Sequence, residues 1–144
     1  MKHLILSVFA ICVLKANLGA AQLSDLSYSI QGEHVTITDC VTSASGELVI
    51  PAIIEGKPVT SIRHFAFQGC LNLTSVIIPD SVTSIGNYAF DDCGLTSVII
   101  PHSLTKIDPQ AFRGSSLTSV TIPDSVTSIG YHAFFNCSSL INVT

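Results

Sequence analysis

The chain has no tryptophan, a single methionine, and formal charge on only 11% of its residues. Six lysines and arginines stand against ten aspartates and glutamates. Phosphate backbones and anionic lipid attract basic patches, so this sparse acidic balance argues against nucleic acid as a partner. Long apolar runs are missing too. The longest broadly apolar stretch, Leu4 to Leu14, covers eleven residues, and a membrane-spanning helix needs about 20. No nucleophile elbow, phosphate-binding glycine loop or dinucleotide fingerprint occurs. His34, His64, His102 and His132 lack the close pairing of a zinc site. Asp91-Asp92 lacks the spaced oxygen ligands of a calcium loop and reads as solvated. These absences exclude most enzyme classes, and the chain reads as a non-enzyme without cofactor or metal.

The early apolar stretch has its own meaning. Lys2 and His3 precede it, and small residues including Gly19 and Ala21 follow before Gln22. A basic start, an apolar core and a small-residue cleavage site describe a secretory signal peptide. We expect residues 1–21 to form this leader, with cleavage after Ala21. Its removal takes Lys2 and Lys15, leaving four basic side chains against ten acidic ones. The remaining chain is expected to be secreted or at the cell surface, with no membrane span.

What the chain has in abundance is repetition. The stretch Leu73 to Cys93 recurs almost verbatim from Leu95 and from Leu117, after one damaged copy. Pro51, Pro79, Pro101 and Pro123 align the copies; the last two steps are 22 residues and the first is 28. The excess maps to an insertion with its own Glu55-Gly56 turn, which belongs on a loop. Within a copy, Leu73, Val76 and Ile78 follow the spacing of a repeat strand. Alternation turns Val76 and Ile78 inward and Ser75 and Ile77 outward. Pro79 ends the strand, Val82 and Ile85 return to the core, Gly86 permits a tight turn, and Ala89-Phe90 fills the far side. One coil cannot bury its own core or pair its own strand, so the copies must stack. We expect a hairpin over residues 22–47, built from Tyr28–Ile30 and His34–Thr38, covering the first coil. Residues 48–144 then form a solenoid of about four coils plus a terminal strand.

Cys40, Cys70, Cys93 and Cys137 are even in number, as in a disulfide framework. Cys70, Cys93 and Cys137 nevertheless share one repeat column, with Ser115 in the third copy. Side chains of one stacked column point the same way, which is poor disulfide geometry. Buried free thiols are the favoured reading.

The pattern Leu-Thr-Ser-Val-x-Ile-Pro-x-Ser-Val-Thr-Ser-Ile-Gly-x-x-Ala-Phe-x-x-Cys closely resembles the BspA-like leucine-rich repeats, from about Leu48 to Thr144. The resemblance implies a right-handed repeat solenoid with a parallel β-sheet on its concave face and short helical or irregular turns on its convex face. It also implies an exported or surface protein that binds other proteins, in adhesion or recognition. No catalytic residues travel with these repeats.

The candidate protein-binding face is the outward side of the strands. Thr74, Thr96 and Thr118 form one column; Ser75, Ser97 and Ser119 a second; Ile77, Ile99 and Thr121 a third. The competing reading is that β-branched residues sit there for strand propensity alone. A second candidate is the variable convex edge with Arg63, His64, Tyr88, Arg113, Tyr131 and His132. The expected function is an exported leucine-rich repeat protein-binding module with a surface or matrix protein as ligand. The alternatives are a structural module self-associating through the strand at Leu140 to Thr144, or a fragment of a larger anchored protein.

Overall fold

The computed structural model describes residues 20–144. The expected leader therefore lies outside the described residues, apart from Ala20 and Ala21. A single 3-10 turn, Leu23–Asp25, precedes twelve short strands. They are β1 (Leu26–Gln31), β2 (His34–Cys40), β3 (Gly46–Val49), β4 (Ile53–Ile54), β5 (Lys57–Ile62) and β6 (Leu73–Ile77). The rest are β7 (Ser84–Ile85), β8 (Ser97–Ile99), β9 (Lys106–Ile107), β10 (Ser119–Val120), β11 (Ser128–Ile129) and β12 (Asn142–Val143).

The strands stack as a β-solenoid. β3, β6 and β8 pair in parallel, with Leu48, Val76 and Val98 in register, and the β10–β12 pair continues the same face. The Thr118 N–H bonds the Thr96 carbonyl at 3.2 Å where no strand is assigned between these two groups. Each strand ends at its proline. The carbonyls of Pro79, Pro101 and Pro123 then accept the N–H groups of Val82, Leu104 and Val126 three residues on, closing a β-turn.

The turn delivers the chain to a second parallel ladder, which periodicity had reduced to isolated core residues. β5 pairs with β7, and β9 with β11, placing Ile62 beside Ile85 and Ile107 beside Ile129. The N-terminal hairpin joins this ladder. β1 and β2 pair antiparallel through the turn at Gly32, and β2 lies parallel to β5. The hairpin therefore covers the edge of the second ladder, while β3 stands at the edge of the first. The insertion folds as expected: β4 and β5 form a two-residue hairpin at Glu55-Gly56, both in the left-handed region. Tyr28 donates to Glu55 at 2.8 Å, and Lys57 donates to the Gly32 carbonyl and pairs with Glu33, so the two hairpins hold each other.

The third side of each coil carries consecutive turns and no helix. Phe65, Tyr88, Gln110 and His132 share a left-handed backbone with φ of 57–63°. Four residues on, Gly69, Asp92, Gly114 and Asn136 share another. Glycine, asparagine and aspartate suit that conformation, whereas larger residues are strained there by roughly 1–2 kcal/mol each. Bonds between coils offset the strain. The N–H groups of Tyr88, Phe90 and Asp92 donate to the carbonyls of Pro109, Ala111 and Arg113, and those of Gln110, Phe112 and Gly114 repeat the pattern one coil later. Every donor of this row faces the following coil and every acceptor the preceding one. The intervening N–H groups close turns within the coil, as Asp91 does to the Tyr88 carbonyl.

Inside, Phe67, Phe90, Phe112 and Phe134 form one stack with ring centroids 4.8, 5.2 and 5.5 Å apart and planes within 10°. Leucine, isoleucine and valine from both ladders fill the remaining core. Gly86 is not left-handed. Its reason is contact, because a Cβ there would lie 2.7 Å from the His64 nitrogen and 3.0 Å from the Arg63 carbonyl carbon. Gly130 abuts Pro109 in the same way two coils later. Pro109 shares a column with Asn87, whose N–H bonds the His64 side chain and not a backbone carbonyl, so the proline removes no backbone bond between coils.

Removing a ring from the middle of the stack leaves a cavity against two neighbours. Phe90→Ala is expected to lower stability by about 3–5 kcal/mol in urea denaturation. Gly86→Val, which must push two coils apart, is expected to cost about 1–3 kcal/mol in the same measurement.

Candidate protein-binding face

The parallel ladder of β3, β6, β8 and β10 sorts outward side chains into straight columns, because residues two apart share a face. In the first column the hydroxyls of Thr96 and Thr118 are already engaged. Thr96 Oγ1 donates to the Thr74 carbonyl at 3.1 Å and Thr118 Oγ1 to the Thr96 carbonyl at 3.4 Å. Those same carbonyls accept the backbone N–H groups of Thr96 and Thr118. Thr96 and Thr118 thus tie coil to coil, a use that neither recognition nor strand propensity anticipates.

The second column runs Glu47, Ser75, Ser97, Ser119. Ser75 donates to Glu47 at 3.3 Å. Ser97 and Ser119 are exposed, and among the described residues no hydrogen bond engages their hydroxyls. The third column runs Val49, Ile77, Ile99, Thr121. Val49 is 55% and Ile99 61% exposed, with Ile77 half-buried between them. Thr121 shares a hydroxyl contact of 3.2 Å with Thr144. Glu47 and Val49 were missed as members of these columns. The signal was available, since Glu47-Leu-Val49 repeats the polar-apolar alternation of Ser75-Val-Ile77. The face therefore offers an apolar stripe beside two free hydroxyls, with one carboxylate at its edge.

The convex residues do not form a second surface of the same kind. His64 Nδ1 accepts the Asn87 N–H at 2.8 Å, so its ring clamps two coils. Tyr88 stacks on Phe65 at 5.0 Å, and His132 lies against Phe135 and Tyr131. Arg113 pairs with Asp91 at 3.3 Å, and Gln68 donates to the same carboxylate at 3.0 Å. Asp91 is only 2% exposed. The expectation of a solvated Asp91-Asp92 pair is thus corrected: Asp91 is a buried link across three coils, and only Asp92 faces solvent.

The cysteine column is equally structural. Cys93 Sγ donates to the Cys70 carbonyl at 3.3 Å and Cys137 Sγ to the Phe112 carbonyl at 3.1 Å. Ser115 Oγ takes the same role toward the Phe90 carbonyl at 3.0 Å. Burial pushes the Cys93 thiol up to about 12, keeping it protonated and able to donate. All four cysteines of the described residues are buried free thiols. Among the described residues, no group of three or more histidine, cysteine, aspartate or glutamate side chains is placed to hold a metal ion. No helix there is long and apolar enough to cross a membrane.

Comparison with known proteins agrees with this architecture. The model of the BspA type leucine rich repeat region matches residues 56–144. A leucine-rich repeat protein of T. pallidum (TpLRR) superposes with a TM-score of 0.67 at 27% identity, over 86% of this chain and 70% of its own. A leucine-rich repeat protein from Bacteroides capillosus gives 0.67 at 28%, over 87% and 96%. A third, from Bacteroides ovatus, gives 0.58 at 26%, over 83% of this chain but 39% of its own. No curated protein sequence matches the chain. With the repeat matched over more than half its length and the same stacked coils in these structures, the chain belongs to the BspA-type leucine-rich repeat family.

Proposed function

We propose that this chain is a protein-binding module of a secreted or cell-surface protein, acting in adhesion or recognition through the outward face of its first ladder. The observation that carries this reading is the stripe Val49, Ile77, Ile99, left largely uncovered on a face otherwise made of hydroxyls and one carboxylate. Side chains in it stand one coil apart, so an apolar strip of a partner protein contacts several at once. Ser97 and Ser119 lie beside the stripe with unused hydroxyls, which supplies directional bonds for a partner's backbone or polar side chains. Secretion rests on the leader-like residues 1–21, and the surface context on the family. The ligand class, a surface or matrix protein, follows from the same resemblance.

A second reading, self-association, is favoured by the strand β12, which pairs with β10 along one edge and leaves Ile141 90% exposed. Sedimentation separates the two: a monomer at all concentrations removes self-association and leaves the face available to other proteins.

Pull-down of the protein against surface and matrix proteins is expected to give saturable binding. Burying one isoleucine contributes roughly 1.5–3 kcal/mol, so Ile99→Arg is expected to weaken binding by about tenfold or more. Absence of saturable binding, or binding indifferent to Ile99→Arg, overturns the proposal. Thr96→Val gives the complementary result. It is expected to cost about 0.5–1.5 kcal/mol in thermal stability, whereas Ser97→Ala should stay within about 0.5 kcal/mol.

A further inference from the structure

Cys40 stands outside the column shared by Cys70, Cys93 and Cys137. It ends β2 of the N-terminal hairpin, whereas Cys70 ends the turn row of the first coil. The fold brings these two together from positions 30 residues apart. Cys70 Sγ lies 3.9 Å from the carbonyl of Cys40 and 3.9 Å from that of Val41. Cys40 Sγ contacts the Val41 carbonyl at 3.7 Å, so both sulfurs gather at one short stretch of backbone. Both residues are buried in the junction between hairpin and coil. Cys93 is arranged differently. Its thiol addresses the Cys70 carbonyl, as the stacked column requires, and Ser115 and Cys137 address carbonyls of their preceding coil likewise.

The objection to disulfides therefore applies to the column and not to Cys40, which reaches Cys70 from a different element. We infer that Cys40 and Cys70 are a disulfide-forming pair that fastens the N-terminal hairpin to the first coil. Cys40 and Cys70 are closed off from solvent once the protein has folded, so exchange takes place during folding, while the junction is still open. One of the two thiolates attacks one sulfur of an external disulfide, glutathione disulfide or that of an exchange catalyst, and releases one thiol. The other then gives up its proton and attacks the protein sulfur of the mixed disulfide, releasing the second thiol. Two protein thiols are oxidised to one disulfide, and one external disulfide is reduced to two thiols. The bond closes a loop of about 30 residues, a length at which cross-linking stabilises a fold substantially.

Formation of this bond in the cell rests on the exported reading, but the chemistry does not, so the test is made on purified protein. The full chain is refolded in glutathione redox buffer, and its cysteine peptides are mapped without reduction. The expected product is lighter by two hydrogen atoms, with the Cys40 and Cys70 peptides joined. Cys93 and Cys137 should be alkylated only after denaturation. Tm of the oxidised protein is expected to exceed that of the reduced protein by about 5–15 °C. Cys40→Ser should abolish both the bond and the shift, while Cys93→Ser should leave both. Four alkylatable thiols at Cys40, Cys70, Cys93 and Cys137, or a bond from Cys70 to any other cysteine, overturns the inference. A Cys40–Cys70 bond in a protein that binds no partner leaves the inference standing and the proposed function fallen.

Discussion

Backbone hydrogen bonds between successive coils hold them about 4.8 Å apart, and nearly every other feature is an answer to that spacing. Phenylalanine rings repeat at 4.8–5.5 Å because flat rings stack at the distance the ladders impose. Gly86 and Gly130 are needed because no Cβ fits between coils at that approach. Thr96 and Thr118 spend their hydroxyls on the carbonyl one coil back because it lies within reach at that spacing. Cys93, Ser115 and Cys137 do the same from inside. The repeat is thus conserved within the chain column by column, since each column faces the same neighbour at the same distance.

Much of this was legible in the sequence, for a definite reason. Features set by a residue's own backbone preference could be read directly: the strand ends at the prolines, the hairpin at Glu55-Gly56 and the alternating strand of Leu73 to Ile78. Features set by the neighbouring coil could not. The second ladder uses strands of two residues, too short for alternation to declare itself. The left-handed backbone at Phe65, Tyr88 and His132 follows from no preference of those side chains and is imposed by the bonds between coils. Asp91 was misread beside Asp92, its neighbour along the chain, when its partners Arg113 and Gln68 lie 22 and 23 residues away. On the candidate face the columns were readable from the period, but the engaged state of the Thr96 and Thr118 hydroxyls was not.

The same reasoning separates recognition from construction. Columns whose side chains bond to an adjacent coil are held by the architecture and have little freedom to serve a partner. That leaves a narrow region in which identity is unconstrained by stacking: Ile99, Ser97, Ser119 and the exposed Val49, beside Glu47 at the edge strand. A charged residue on an edge strand discourages open pairing, so Glu47 protects the ladder's first rung while the apolar stripe runs behind it.

The row of left-handed turns has a consequence of a different kind. In the first ladder N–H groups point to either neighbour, as Thr96 does backward to Thr74 and Ile50 forward to Ile77, and their peptide dipoles largely cancel. In the turn row the inter-coil N–H groups all point forward. Their dipoles, each about 3.5 D, add along the stacking axis. The turn row consequently has an electrical direction of its own, independent of the charged side chains. It is electropositive at the end bearing His132 and Asn136 and electronegative at the end formed by the first coil.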